Sequence, residues 1–294
     1  MKLRLRDRLL ELEPERPLVM GIVNASPDSF ADAGRYPSPE DQLRRAQELV
    51  EAGADLIDVG GESGVTYRPP VPPEEELKRV VPLVERLARE GVAVSVDTYK
   101  VPVARAALDA GAALVNDVSG LRDPGVASAC AEAGAGLVIT HTRAAPKQKL
   151  FPGYADVTDD VLRFLRERTL VARGCGVADE RIVLDPGLDY AKTPAETVEL
   201  LRELRTLHAL GRPLLLAVSR KDFVGALTGR RPSERLAGTL AAVAAGVERG
   251  AAILRVHDVA EVADFLRVRA ALSGADVPAD LELAERLRRE EPAA

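Results

Sequence analysis

About eight times along this chain a short apolar run ends in polar residues, passes through a loop and is followed by an amphipathic stretch, and this cycle constrains the fold more than any other feature. The apolar runs are Leu18 to Val23, Leu56 to Val59, Val92 to Val96, Ala112 to Val115, Leu137 to Thr140, Ile182 to Leu184, the run opening at Leu214, and Ala252 to Leu254. They are continuous rather than alternating, as strands buried on both faces must be, which points to a parallel sheet covered by helices. Helices are predicted over 39–52, 74–89, from the loop after Asp97 to Gly111, to Gly134, to about 173, over 194–211, over 233–248, and to about 272, most of them stopped by glycine. The direct reading is α/β, a (β/α)₈ TIM barrel. A doubly wound open sheet is the other arrangement of such units, but no Gly-x-Gly-x-x-Gly follows the first strand.

No linker rich in Pro, Gly or Ser divides the 294 residues, so one domain is expected over 1–294, with a lead segment over 1–16 and a polar helix or tail over 275–294. Forty basic against 46 acidic residues leave a formal charge of -6 with no polybasic arm, which speaks against nucleic acid as a partner. Charges threaded through the leucines of Met1 to Arg8 fit neither a secretory signal nor a membrane span, so no membrane partner and a cytoplasmic location are expected. Cys130 and Cys175 stand outside any Cys-x-x-Cys or Cys/His spacing and read as reduced packing residues.

In a closed parallel barrel all strand C-termini converge on one mouth. The residues delivered there are Asn24, Asp97, Asn116, His141, Asp185, Lys221, Arg255 and His257. They include the only two asparagines of the chain and two of its three histidines. Lys221 is the only lysine after Lys192 in a stretch where Arg is the default cation, as though a compact point charge were required. No His-x-His, His-Glu-x-x-His or Cys/His cluster supports a tightly held zinc, whereas a Mg²⁺ needing one amide oxygen plus substrate phosphate is compatible with the pattern. Gly-x-Ser-x-Gly is absent too, which argues against acyl transfer. Carboxylates at Asp97 and Asp185 suit a heterocycle edge with several N–H donors, and Arg with His suits a phosphate. A heterocycle bearing a phosphate ester fits both halves.

Taken together, Met20-Gly-Ile-Val-Asn-Ala-Ser-Pro-Asp-Ser-Phe30, Asp58-Val-Gly-Gly-Glu-Ser63, Ser95-Val-Asp-Thr-Tyr-Lys100, Val115-Asn-Asp-Val118, Leu184-Asp-Pro-Gly187, Ser219-Arg-Lys221 and Arg255-Val-His-Asp-Val259 resemble the dihydropteroate synthase family over nearly the full length. The resemblance implies attack by the amine of 4-aminobenzoate on the CH₂ of 6-hydroxymethyl-7,8-dihydropterin diphosphate, expelling diphosphate to give 7,8-dihydropteroate for folate synthesis. By position it implies pterin contacts from Asp97, Asn116, Asp185 and Lys221, and diphosphate contacts from Asn24, Thr66, Arg68, Arg255 and His257. It further implies 4-aminobenzoate contacts from Tyr190, Arg220 and Asp222, a catalytic set of Lys221, Arg255 and His257, Mg²⁺ held through Asn24, and a homodimer, with the apolar stretch from Leu240 a candidate contact.

The chain departs from the family pattern at several points. Gly64 and Val65 intervene before Thr66, and Tyr67 separates Thr66 from Arg68; Thr140-His141-Thr142 replaces Met-His-Met; Asp189-Tyr190-Ala191-Lys192 replaces Gly-Phe-Gly-Lys; and Asp222 replaces a serine. Asp222 is expected to cap a short helix over 223–227, leaving the 4-aminobenzoate carboxylate to the backbone N–H groups of that helix start. Two other readings share the barrel: a methyltetrahydrofolate-dependent corrinoid methyltransferase, which needs no diphosphate-binding cations, and a non-catalytic pterin-binding subunit.

Overall fold

The computed structural model describes residues 1–13, 15–25, 38–64 and 66–274, with 277, 280–284 and 287 beyond them. Most of the loop expected after Asn24, residue 65, and most of the expected tail over 275–294 therefore lie outside the described residues. The chain opens with an antiparallel hairpin, β1 (Lys2–Leu5) and β2 (Arg8–Glu11). There follow β3 (Leu18–Asn24), α1 (Pro39–Glu51), β4 (Leu56–Gly60), α2 (Pro73–Arg89), β5 (Val94–Asp97), α3 (Val101–Asp109), β6 (Leu114–Asp117) and α4 (Gly125–Ala133). The second half runs through β7 (Gly136–Thr140), α5 (Val157–Gly174), β8 (Ile182–Asp185), α6 (Pro194–Arg202), β9 (Leu215–Leu216), α7 (Asp222–Thr228), α8 (Leu236–Glu248), β10 (Ile253–Val256) and α9 (Val259–Leu272).

The strands from β3 onward form one parallel sheet in the order β8-β7-β6-β5-β4-β3-β10-β9. A parallel bridge between Leu184 and Leu214 joins its two edges, so the sheet closes as a (β/α)₈ TIM barrel and the open doubly wound sheet is excluded. Two expectations needed revision. The apolar run from Leu214 yields a strand of only two residues, because the chain leaves the sheet toward α8, where the Thr239 hydroxyl receives the Arg220 N–H at 3.1 Å. The segment over 194–211 is not one helix: α6 ends at Arg202 and a 3₁₀ turn continues from Leu204 to Leu210, stopped by Gly211.

Period-two alternation decides which strand residues reach the barrel interior. Val19, Ile57, Val59, Val94, Val96, Val115, Leu184 and Leu254 pack outward with the helices in one apolar cluster. Met20, Leu56, Leu114, Val183 and Ile253 point inward and form a second cluster with Leu3 and Leu5. The lead hairpin thus plugs the end of the barrel at which the strands begin, and Arg6 ties it there by donating to the Leu108 and Ala112 carbonyls. Two residues further along four of these interior registers, the side chains are no longer leucine, valine and isoleucine but Asp58, Asn116, Asp185 and Arg255, while β3 continues with Ile22.

Candidate active site

At the strand C-termini a cavity of about 740 Å³ opens. Its lining includes Asn24, Thr66, Asp97, Tyr190, Arg220, Lys221, Asp222, Arg255 and His257. Two sequence candidates, Asn116 and Asp185, lie just beneath that lining, 1 % and 3 % exposed. Arg68 is half-buried and outside the lining. His141, expected at the mouth, is fully buried below it and reaches Asp160 and Lys192 instead.

Arg255 braces the floor. Its Nε donates to Asp58 Oδ2 at 2.6 Å and its Nη2 to Asp97 Oδ2 at 2.8 Å, while Asn116 Nδ2 donates to the same Asp58 oxygen at 3.2 Å. Burial works against the guanidinium charge, but the two carboxylates hold it firmly protonated. Burial also pushes the Asp97 carboxyl up, against Arg255 and with Asp58 adding like-charge repulsion. Asp185 is likewise raised by burial, although Oδ1 receives the Gly187 N–H at 2.7 Å and Lys221 lies near. Asp58 Oδ1 and Asn116 Oδ1 are buried with no hydrogen-bond partner among the described residues. Buried acceptors seldom stay unpaired without reason, and these lie beside Arg255, which lines the cavity.

The loops above the floor are cross-linked by long cations. Glu62 receives the Lys100 ammonium at 2.7 Å, the Tyr99 hydroxyl at 3.0 Å and the Val71 N–H at 2.6 Å. Burial opposes ionisation of Glu62, yet Lys100 and the Val71 N–H hold it below the ordinary carboxylate range. Lys147, from the loop after β7, reaches the same carboxylate at 3.6 Å and also donates to the Ser63 carbonyl. On the opposite side His257 meets the Ser219 hydroxyl through both its backbone N–H, at 3.2 Å, and its ring Nδ1, at 3.0 Å.

Lys221 donates to the Leu188 carbonyl at 2.9 Å and sits 4.7 Å from the centre of the Tyr190 ring. Burial pushes its pKa down, against the attraction of Asp189 and Asp185. The expected role of Asp222 as helix cap is overturned. Lys221 occupies the cap position, Asp222 is the first residue of α7, and its side chain is 84 % exposed and turned to Arg235 at 3.1 Å. The carboxylate that takes the Asp222 N–H belongs to Asp189, at 2.5 Å, held in place by the Thr197 hydroxyl at 3.1 Å. That one N–H is thus already occupied, which takes one of the helix-start donors away from a substrate carboxylate. Arg220, expected on the 4-aminobenzoate side, is paired with Asp258 through two nitrogens at 3.1 and 2.5 Å.

The pterin binding enzyme family matches residues 20–257. The dihydropteroate synthase of Bacillus subtilis is 42% identical over 260 residues, covering 88% of this chain and 89% of that protein. The chain belongs to the dihydropteroate synthase family. A solved dihydropteroate synthase from Xanthomonas albilineans with 4-aminobenzoic acid superposes with a TM-score of 0.86 at 43% identity, over 94% of this chain and 99% of that one. The same enzyme in complex with 7,8-dihydropteroate superposes at 0.83 with 42% identity, over 94% and 100% of the two chains.

Sequence reasoning did not assign Asp58, Glu62, Lys100, Lys147 and Lys192 to the mouth. Asp58 had a signal: it lies two residues after Leu56 on the interior register, a carboxylate inside an apolar strand. The cross-links made by the others had none, because Lys100 to Glu62, Lys100 to Glu76, Lys147 to Ser63 and Lys192 to His141 span 38, 24, 84 and 51 residues of the chain.

Proposed function

We propose that the protein joins 4-aminobenzoate to 6-hydroxymethyl-7,8-dihydropterin diphosphate, giving 7,8-dihydropteroate and diphosphate. The observation that carries this beyond family membership is the floor, where acceptor oxygens without partners lie beside carboxylates beneath the cavity. A pterin edge presenting several N–H donors satisfies Asp58, Asp97, Asn116 and Asp185, and the Lys221 ammonium supplies a donor to its ring acceptors. The aromatic amine attacks the exocyclic CH₂, the C–N bond forms as the C–O bond to diphosphate breaks, and the amine releases its proton. Arg255, His257, Thr66 and Arg68 receive the leaving charge, and fixed cations in a partly dry cavity are worth more there than in water. Tyr190 offers an aromatic face to 4-aminobenzoate, with Arg220 and Asp222 at the outer rim.

Among the described residues no group of three or more His, Cys, Asp or Glu is placed to hold a metal ion. Asn24, at the end of β3 in the lining, is a hard amide ligand that fits Mg²⁺ only if diphosphate and water complete the shell. Bound in that way, Mg²⁺ would neutralise charge on the leaving group. No helix among the described residues is long and apolar enough to cross a membrane. A cytoplasmic homodimer agrees with the composition and the family resemblance; sedimentation tests the dimer. On α8 Ala242, Val243 and Gly246 pack inward and Ala241 is exposed, so only part of that stretch is available to a partner.

The deciding assay is diphosphate release from purified protein. Release should require both substrates, and none with both present overturns the reading; a corrinoid methyltransferase or a non-catalytic subunit would release none. Asn24→Ala should lower turnover and raise the Mg²⁺ concentration needed for half-activity several-fold, and an unchanged Mg²⁺ titration would remove Asn24 as the ligand.

A further inference from the structure

Lys192 is the largest fully buried side chain among the described residues, 2 % exposed. Among the described residues its ammonium pairs with no carboxylate, although the charge of Asp185 lies near enough to favour it. It donates to His141 Nδ1 at 2.8 Å, to the Gly187 carbonyl at 2.8 Å and to the Tyr190 carbonyl at 3.1 Å, an acceptor for each of its three N–H groups. His141 passes the connection on: its Nε2 lies 3.1 Å from Asp160 Oδ2, and Arg143 grips Asp160 at 2.8 and 2.7 Å. Burial, and then the neighbouring Lys192 charge, push the His141 pKa to about 3, so the ring is neutral. With Nδ1 accepting from Lys192, Nε2 carries the proton and donates to Asp160. Burial also pushes Lys192 down, to about 7. Burying an ammonium opposite neutral acceptors is costly, and the reaction described above places no substrate on it.

The two carbonyls that Lys192 holds bracket the segment 187–190, and this segment orients the upper site. Its Leu188 carbonyl receives Lys221, and its Tyr190 ring lies beside the Lys221 ammonium. Gly187 has φ 69° and sits so close to the His141 backbone that a Cβ would run into the His141 carbonyl oxygen, so this turn is pressed onto β7 as well as tied to it. Asp189 and Ala191, both non-glycine at positive φ (64° and 51°), show that the segment adopts a backbone its sequence does not favour.

We propose that Lys192 is a positioning residue for the acceptor half of the mouth: by clamping the Gly187 and Tyr190 carbonyls to the His141–Asp160 strut, it fixes the Tyr190 ring where the aromatic amine meets it. This deepens the proposed reaction and rests on it for the identity of the acceptor. A merely structural lysine would, on removal, lower stability and affect both substrates alike. The clamp instead predicts a larger loss for the acceptor because, of the proposed pterin groups, Asp58, Asp97 and Asn116 stand on strands that Lys192 does not touch, and Asp185 and Lys221 meet the clamped segment only through the Gly187 N–H and the Leu188 carbonyl.

Lys192→Met keeps an unbranched side chain, one atom shorter, and removes the three donors. Its KM for 4-aminobenzoate should rise tenfold or more, while its Kd for the pterin diphosphate, measured by calorimetry, stays within about threefold of the parent. Amide exchange over 188–191 should accelerate in the same variant. In Lys192→Ala, n-propylamine, which matches the deleted atoms, should restore part of the KM. Should Lys192→Met fail to fold, His141→Phe removes the strut's acceptor while keeping the lysine, and should show the same split and faster exchange. Equal losses for both substrates, or an unchanged KM with unchanged exchange, overturn the proposal. Amide exchange reads the clamp without turnover, so a parent protein that released no diphosphate would sink the reaction, not the clamp.

Discussion

The floor of the mouth and its rim are built by different means. Floor groups such as Asp58, Asn116, Asp185 and Arg255 stand on interior-facing strand positions, so the barrel register aims them. Rim groups stand on loops and are held by cross-links, Lys100 and Lys147 to Glu62 on one side and Lys192 to His141 on the other. A strand places a side chain whether or not its polar atoms are satisfied, which is why the floor carries acceptors without partners. A loop has no such frame and must satisfy its own polar groups to keep its shape. The floor is therefore poised for a ligand, and the rim is largely satisfied by itself.

The largest break in this contrast should come from Arg255→Ala. It leaves the Asp58 and Asp97 carboxylates buried without their counter-charge, and losing one partner of a buried ion pair costs about 3–5 kcal/mol. Denaturant unfolding at neutral pH should show a loss of that size, smaller in mild acid where a carboxylate can take up a proton; a loss below about 1 kcal/mol would mean that the floor is not braced by Arg255. Next in size is Asp185→Asn, which presents a donor where the pterin needs an acceptor. A charge-assisted hydrogen bond is worth about 1.5–3 kcal/mol, so calorimetry should show pterin affinity falling by roughly 10- to 100-fold, and unchanged affinity would remove Asp185 from the ring pocket.

A pH titration sharpens the same point. Burial raises the Asp97 carboxyl to about 7, so below that pH a carboxylate needed by the pterin is progressively protonated. Pterin affinity should fall toward tenfold per unit as pH drops below about 7, and Asp97→Asn should flatten the profile. The linkage to folding has the opposite sign: the native state binds the extra proton between the ordinary carboxylate range and about 7, so this group's contribution to stability is present in acid and lost as pH rises through that window. The smallest effect belongs to the rim. Asp222 is exposed and points to Arg235, so Asp222→Ser should change the KM for 4-aminobenzoate by no more than about threefold, well under the 1.4 kcal/mol of a tenfold shift. A tenfold fall in KM would mean that Asp222 faces the substrate.

The sequence by itself determined the barrel and most of its floor. Continuous apolar runs at regular spacing can be buried on both faces only in a helix-covered parallel sheet, and a closed sheet sends every strand end to one mouth. That argument found Asn24, Asp97, Asn116, Asp185, Arg255 and His257 because each stands at the end of its strand, and Lys221 because it ends the apolar run that leads from β9 to α7. Alternation would also have found Asp58, had the reading continued through β4 rather than waiting for its end. The tertiary structure alone decided the rim and the depth of each group. His141 reads as a mouth residue, yet Lys192, 51 residues later in the chain, meets it below the surface. Asp222 reads as a cap, yet Lys221 takes the cap position and Asp189, 33 residues earlier, accepts the Asp222 N–H. The lead segment reads as amphipathic, and only the closed barrel shows that Leu3 and Leu5 fill its lower end. Periodicity reports which face a residue turns to the core, a local property of the backbone. Which loop side chain meets which depends on contacts that chain closure brings together, and no local pattern records them.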